Sequence, residues 1–153
     1  MDAARFLPIA PTTLDKRELN MMNPAVLSFV GDSVQTLYVR AALAALSGEK
    51  AGPLHRKASA FVNATSQAQA LKHILSVLTE EELAVYKRCR NVKKPTSAKN
   101  STIIDYRIAS GFEGVVGYLY LGGFHERLAE LMELAYAENG AQTSETETQK
   151  ETK

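Results

Sequence analysis

Two carboxylates stand out because each interrupts a stretch that is otherwise apolar. Asp32 lies in the run AVLSFVGDSV, residues 25–34, and Glu113 lies in a second apolar stretch that follows residue 102. An ionised carboxylate is costly to bury unless it is hydrogen-bonded, paired with a cation or bound to a metal. If the two stretches are helices packed side by side, a hard cation such as Mg²⁺ or Mn²⁺ between the acids would offset their repulsion. That arrangement predicts a phosphodiester-cleaving site.

A structural interpretation of the same acids stays open on composition alone. Each acid can pair with an arginine or cap a backbone group instead of holding a metal. Gly31 and Gly114 stand beside the acids and permit close approach either of a ligand or of another helix. Ser28 and Ser33 either donate hydrogen bonds around the acids or are small polar residues on a packed face.

A second group of residues points to nucleic acid because it is basic. Asp105 is the one acid set against seven cations within about twenty residues: Lys87, Arg88, Arg90, Lys93, Lys94, Lys99 and Arg107. Three of them, Lys93, Lys94 and Lys99, belong to the polar stretch from Asn91 to Ser101, which predicts a solvent-facing loop. A cationic loop can follow phosphates with salt-dependent affinity, and Asn100 can add contacts to phosphate or sugar. An ordinary solvated run of charge is the alternative.

Length and composition narrow the class of protein. The chain has 153 residues, a formal net charge of +1 and a single cysteine, so we expect one domain without an intramolecular disulfide in a reducing compartment, the cytoplasm. No apolar stretch approaches the roughly 20 residues that span a bilayer, and the N-terminus lacks the basic and then apolar pattern of a secretory signal. The three histidines have no metal-ligand spacing.

The elements that must position these groups are helical. Caps and apolar periodicity predict five helical stretches. The first three run from Asn23-Pro24 to Leu46, from Pro53 to about Leu78 with a break near Asn63, and from Thr79 to the basic residues 87–90. The last two run from Thr102 to Gly122-Gly123 and over about His125 to Ala137. Strand-like alternation is lacking, so we predict an all-α fold. We expect an irregular arm over residues 1–22 with a short helix near Leu14 to Leu19, one domain over 23–137, and a disordered polar tail over 138–153.

The residues around both acids resemble a known family. Residues 28–34, SFVGDSV, resemble the signature helix of the ribonuclease III catalytic domain, Glu-Phe-Leu-Gly-Asp-Ala/Ser-Val. Residues 111–123, GFEGVVGYLYLGG, resemble its second motif, Phe-Glu-Ala-Leu-Ile-Gly-Ala-Leu-Tyr-Leu-Asp-Gly-Gly, and residues 58–63 are similar to a helix ending in Leu-Val-Ser-Asn. The resemblance covers about residues 20–137, and we expect no double-stranded-RNA-binding domain to follow it. In this respect the chain resembles the Mini-ribonuclease III subfamily. These are compact endoribonucleases that cut double-stranded RNA and are implicated in ribosomal RNA maturation.

The resemblance implies roles for individual residues. Asp32 and Glu113 would ligate Mg²⁺, or Mn²⁺ as a substitute, and act in catalysis. Ser28 and Ser110 stand where larger relatives carry further carboxylates, so they are expected to support the metal's ligands by hydrogen bonds. Phe29 would insert into the partner subunit of a homodimer.

The resemblance also implies the substrate. The expected partner is double-stranded RNA, a ribosomal RNA precursor, cut to 5′-phosphate and 3′-hydroxyl ends. The residues expected to hold it are Arg88, Arg90, Lys93, Lys94, Lys99, Asn100 and Arg107. An inactive ribonuclease III-like module for RNA binding or ribosome assembly is the main alternative, and an all-α protein-interaction module is the second.

Overall fold

A computed structural model describes residues 13–92 and 102–137, and no strand occurs in those two ranges. The predicted all-α fold is therefore confirmed. The helices of the described ranges are α1 (Lys16–Met21), α2 (Pro24–Ser47), α3 (Ala51–Val62), α4 (Ala64–Ile74), α5 (Glu80–Arg90), α6 (Ile103–Leu121) and α7 over residues 125–137, with a 3₁₀ turn at Leu75–Val77. None of these helices is long and apolar enough to cross a membrane.

Helix α2, which carries Asp32, has a defined start and stop. The Asn23 side chain accepts a hydrogen bond from the backbone N–H of Ala25 at 2.9 Å, and Pro24 occupies the first helical position, where its missing N–H costs nothing. The helix runs to Ser47, one residue beyond the predicted end, and stops at Gly48 with φ of 64°. This left-handed conformation favours glycine.

Local caps also set the other helix boundaries. Asn63 ends α3 and caps α4 by accepting from the Ser66 N–H at 2.9 Å, so the predicted break is confirmed. Thr79 and Glu82 form the predicted capping box of α5. Helix α3 begins at Ala51, two residues before the predicted start at Pro53, because a proline in the first turn has no N–H bond to lose.

Residues 13–22, the described part of the predicted arm, include a short helix, α1, close to the one predicted near Leu14 to Leu19. Asp15 caps α1 through a capping box, and Leu19 on that helix is fully buried in the core. The backbone N–H of Leu14 donates to the carbonyl of Leu121 at 2.8 Å. Residues 13–22 therefore pack against the helices of the predicted domain, whereas residues 1–12 and the predicted tail, 138–153, lie outside the described residues.

Helix α6 lies at the centre and contacts α2, α4 and α5. Its Phe112, Val115 and Val116 are fully buried. A helix enclosed by neighbours on several sides is apolar around most of its circumference, which explains why its sequence shows no clear polar face. Because α6 also carries Glu113, the core of the molecule fixes the backbone of that residue.

An ion pair between Glu82 and Arg127 joins α5 to α7. Nε of Arg127 donates to Oε2 of Glu82 at 2.9 Å, and Nη2 donates to Oε1 at 2.8 Å. The same Nη2 donates to the Val77 carbonyl at 2.7 Å. Burial by itself would raise the pKa of Glu82, but the hydrogen bonds and charge of Arg127, with those of Thr79, hold that pKa below its ordinary value.

Candidate active site

The helices that carry the two acids cross with their backbones in direct contact. A Cβ atom placed on Gly31 of α2 would overlap the carbonyl of Glu113, and one placed on Gly117 of α6 would overlap the carbonyl of Leu27. Only glycine at both positions allows this approach. The crossing therefore depends on residues within and beside the two motifs.

This crossing brings the predicted catalytic acids to one place. Asp32 follows Gly31, which lies against Glu113, so both acids are at the contact between α2 and α6. Asp32 is exposed and Glu113 is half-buried. Within residues 13–92 and 102–137 the Asp32 carboxylate has no hydrogen bond or ion pair, so an arginine partner, the structural alternative, is not found there.

Two carboxylates at a solvent-accessible crossing suit a hard divalent cation. Mg²⁺ is commonly bound by one or two carboxylates and keeps several waters, whose places substrate phosphates can take. The described residues include no group of three or more His, Cys, Asp or Glu side chains that could enclose a metal. The donor set of Asp32 and Glu113 fits a cation held at an open site rather than a closed structural one.

Ser28 and Ser110 lie one helical turn before the acids and are brought together in the interior. The Ser28 hydroxyl donates to the Ser110 backbone carbonyl at 2.7 Å, and both residues are buried. Cys89 of α5 packs beside them, since a Cβ on Gly114 would overlap its sulfur atom. Burial raises the pKa of the Cys89 thiol, against the opposing influence of Ser28 and Arg88. In this structure Ser28 joins α2 to α6, and its predicted support of metal ligands stays a prediction.

The predicted RNA-binding residues differ in exposure and in whether they already have partners within the chain. Arg88 is partly buried and its Nη1 donates to the Asn20 carbonyl at 2.6 Å, so it binds the end of α1. Arg90 donates to the Asn91 side chain at 3.1 Å and its guanidinium lies 5.4 Å from the Tyr86 ring centre. Arg107 is exposed on α6, two turns before Glu113. The other members lie outside the described residues: Lys93, Lys94, Lys99 and Asn100.

The predicted dimer residue is one of several exposed apolar side chains on α2. Phe29 is 75% exposed, and Val26 and Leu37 on the same helix are also exposed. Val26, Phe29 and Leu37 follow helical spacing, so they share the outer face of α2. The side chains of this face are free to contact another molecule.

Sequence reasoning missed three buried polar residues on α2 and α7. Gln35 lies one turn after Asp32, Tyr38 one turn after Gln35, and Tyr136 on α7 has its ring 6.1 Å from that of Tyr38. All three residues are buried. The available signal was Gln35, a polar residue at an inward-facing position of an otherwise apolar helix. The sequence of α2 alone does not show that α7 packs beside it.

Comparison with known proteins relates these features to a family. The family model of the Ribonuclease III domain matches residues 25–123. Two relatives named Mini-ribonuclease 3 are similar to this chain. The one from Brevibacillus brevis is 47% identical over 121 residues, which cover 79% of this chain and 90% of the relative. The one from Clostridium tetani is 45% identical over 120 residues, which cover 78% and 80%.

A crystal structure of a protein from Fusobacterium nucleatum has the same fold. It matches with a TM-score of 0.72 at 25% sequence identity, covering 80% of this chain and 98% of that one. The matched family region contains both helices of the crossing and both acids. The chain therefore belongs to the ribonuclease III family of endoribonucleases and is similar to the Mini-ribonuclease 3 proteins of that family.

Proposed function

We propose that this protein is a Mg²⁺-dependent endoribonuclease that hydrolyses double-stranded RNA to 5′-phosphate and 3′-hydroxyl ends. One observation supports the proposal: Gly31 contacts the Glu113 backbone, so Asp32, which is exposed, and Glu113, which is half-buried, both belong to the crossing of α2 and α6. Acids that serve only the fold are expected to have partners within the chain, and Asp32 has none among the described residues.

Asp32 and Glu113 would hold the Mg²⁺ ion, with Mn²⁺ as a substitute. When bound, such an ion supplies an acidified water and stabilises negative charge on the scissile phosphate. Asp32 leaves its carboxylate open to solvent, which allows an RNA phosphate to approach the same place. Glu113 is carried by the most enclosed helix of the molecule, so its backbone keeps one position while RNA binds and leaves.

The active form would be a homodimer joined through the outer face of α2. Phe29 is 75% exposed, with Val26 and Leu37 on the same face, and exposed apolar side chains at helical spacing favour burial against another chain. Each subunit would then present one site to one strand of the duplex. A second copy is the occupant that the resemblance implies for Phe29.

RNA would be held by the exposed Arg107, by Arg90 and by Lys93, Lys94, Lys99 and Asn100. Arg88 already donates to the Asn20 carbonyl, so its part in RNA binding requires that it exchange this acceptor for a phosphate. Phosphates and 2′-hydroxyls are the groups that mark an A-form duplex. A ribosomal RNA precursor in the cytoplasm is the substrate that we propose from the resemblance.

A cleavage assay tests this function directly. A paired RNA duplex and each of its separate strands are incubated with the protein in Mg²⁺ or in EDTA. We expect cleavage of the duplex only, and only with Mg²⁺. Binding without cleavage would support the inactive RNA-binding module, and neither binding nor cleavage would support the protein-interaction module, so both results contradict the proposal.

The basic stretch is tested by binding rather than cleavage. Replacing Lys93, Lys94 and Lys99 with alanine should weaken duplex binding and make it less dependent on salt, because each lost phosphate contact reduces the slope of log affinity against log salt by about 0.9. Lys50→Ala with Lys72→Ala, two exposed lysines on other parts of the surface, provides the control. Unchanged affinity and slope in the triple variant would remove this stretch from the RNA site.

A further inference from the structure

Arg88 differs from the neighbouring arginine at the end of α5 in what its guanidinium contacts. Its Nη1 donates to the Asn20 carbonyl at 2.6 Å, and its Nη2 lies 3.5 Å from the Leu19 carbonyl. Arg90, by contrast, donates to the side chain of the next residue in the chain. The Arg88 guanidinium is therefore bound to the last turn of α1.

The end of α1 has free acceptors and no cation of its own. The last carbonyls of a helix have no partner within that helix, and a cation placed there also interacts favourably with the helix dipole. No basic residue lies in the last turn of α1, so Arg88, 68 positions further along the chain, supplies the charge. A helix of six residues is too short to be stable alone, and its position depends on such contacts.

The end of α1 also determines where α2 begins. Met22 and Asn23 are the two residues between the helices, so the connection has little freedom. Cys89, which follows Arg88 in α5, holds the other side of this connection, because its Sγ donates to the Pro24 carbonyl at 3.6 Å. Two consecutive residues of α5 thus bind the end of α1 and the start of α2.

The same turn of α5 lies against the crossing of α2 and α6. A Cβ placed on Gly114 of α6 would overlap the Cys89 sulfur and lie 3.4 Å from the Ser28 hydroxyl. Ser28 joins α2 to α6 by its hydrogen bond and precedes Asp32 by one turn. The last turn of α5 therefore contacts both helices of the crossing, close to the residues that join them.

We propose that Arg88 is a positioning residue for Asp32, because its bond to the Asn20 carbonyl fixes the start of α2 against α5 and α6. Arg88 keeps this acceptor when RNA is bound. A shift of the connection between α1 and α2 would move α2 along α6, and with it the Asp32 carboxylate relative to that of Glu113. The effect on catalysis rests on the proposed function, whereas the link from Arg88 to α2 does not.

The matched variants Arg88→Ala and Arg17→Ala test the effect on catalysis. Each removes one arginine, and Arg17 is exposed on α1. Per folded molecule, Arg88→Ala should lower kcat about tenfold, part of the 100-fold loss that a misplacement of about 1 Å can cause. KM for the duplex should stay the same, and Arg17→Ala should keep both constants. Arg88→Lys, which retains a charged donor for the Asn20 carbonyl, should recover part of kcat. Unchanged kcat in Arg88→Ala, or an equal fall in Arg17→Ala, would overturn the proposal.

The salt dependence of duplex binding separates positioning from direct contact with RNA. Arg88→Ala should leave the slope of log affinity against log salt unchanged, because no phosphate contact is lost. Arg107→Ala, which alters an exposed cation of α6, should reduce the slope by about 0.9. An equal reduction in Arg88→Ala would show that Arg88 contacts a phosphate, and would overturn the proposal.

Hydrogen exchange tests the link to α2 without any RNA. The Leu27 N–H donates to the Asn23 carbonyl at 3.2 Å in the first turn of α2. In Arg88→Ala the Leu27 amide should exchange at least about tenfold faster through local opening, while the Leu128 amide of α7 keeps its rate. An unchanged Leu27 rate, or an equal acceleration at Leu128, would overturn the proposal even if the protein cleaves RNA. Selective acceleration at Leu27 would support the link even if cleavage of duplex RNA failed.

Discussion

Glu82 and Asp32 are both carboxylates on helices that pack into the core, yet their surroundings are opposite. Glu82 is 4% exposed, and its oxygens accept from Arg127 at 2.8 and 2.9 Å and from the Thr79 N–H at 2.9 Å. Asp32 is exposed on α2 and has no side-chain partner among the described residues. A buried charge without such partners would be strongly destabilising, so the enclosure of Glu82 requires them.

The difference separates a carboxylate that serves the fold from one that is available to a ligand. The lone pairs of Glu82 are occupied by donors of the chain itself, which leaves little for a cation or a substrate. Asp32 and the half-buried Glu113 meet where α2 and α6 are in backbone contact, so their positions are fixed while the Asp32 oxygens stay accessible. Rigid placement with an open face is the condition for metal-assisted hydrolysis.

The largest expected effect follows from neutralising either carboxylate at the crossing, Asp32 or Glu113. Asp32→Asn and Glu113→Gln should each lower the rate of duplex cleavage by about 100-fold or more, since each removes a charged metal ligand. For Asp32→Asn the melting temperature and duplex affinity should change little, because the Asp32 carboxylate has no hydrogen bond or ion pair among the described residues. Glu126→Gln, which alters an exposed acid of α7, is the control. A fully active Asp32→Asn variant would exclude the proposed mechanism.

The next largest effect follows from breaking the ion pair between Glu82 and Arg127. Arg127→Ala should lower the free energy of unfolding by about 3 kcal/mol, the lower limit for removing one partner of a buried ion pair, because the Arg127 side chain keeps 25% of its surface in solvent. Lys16→Ala removes the exposed pair with Glu81 and should cost less than about 1 kcal/mol. Urea unfolding of both variants checks the difference. Equal losses would mean that burial does not distinguish the two ion pairs.

A smaller effect concerns the crossing of α2 and α6, which positions Asp32 and Glu113. Gly31→Ala should destabilise the protein by about 2 kcal/mol, because the added methyl meets the Glu113 backbone and over-packing costs about 1–3 kcal/mol. Gly52→Ala, on α3, meets only the flexible end of Arg56 at 4.0 Å and should gain up to about 1 kcal/mol from helix propensity. Thermal unfolding checks the opposite signs. A stabilised Gly31→Ala variant would show that the two backbones are further apart than described.

Much of the helical framework could be predicted because its signals are local. The Asn23-Pro24 start, the Asn63 break and the Thr79 capping box each depend on residues within three or four positions of one another. Asp32 and Glu113 stood out in the sequence as acids within apolar stretches, and the family resemblance related them to each other. Their placement at one crossing then required only that the helices of the two motifs pack together.

What could not be predicted involves residues far apart in the chain. Ser28 meets the Ser110 carbonyl across 82 positions, and Arg88 meets the Asn20 carbonyl across 68. A serine or an arginine has the same sequence signature whether its donor faces a phosphate, a metal ligand or a distant carbonyl. The packing of Leu19 was missed for the same reason, since one buried leucine in a short helix produces no periodic pattern.

The smallest expected effect sharpens the account of Glu82 through pH. Since its pKa in the folded state lies below the ordinary value of 4.5, its contribution to stability is present above that value and is lost as pH falls through the folded-state pKa. The difference in melting temperature between the original protein and Glu82→Gln should therefore be constant near neutral pH and shrink as pH falls below that ordinary value and through the folded-state pKa. A difference for Glu82→Gln that stays constant or widens on acidification would contradict the assignment of Glu82 as the ionised partner of Arg127.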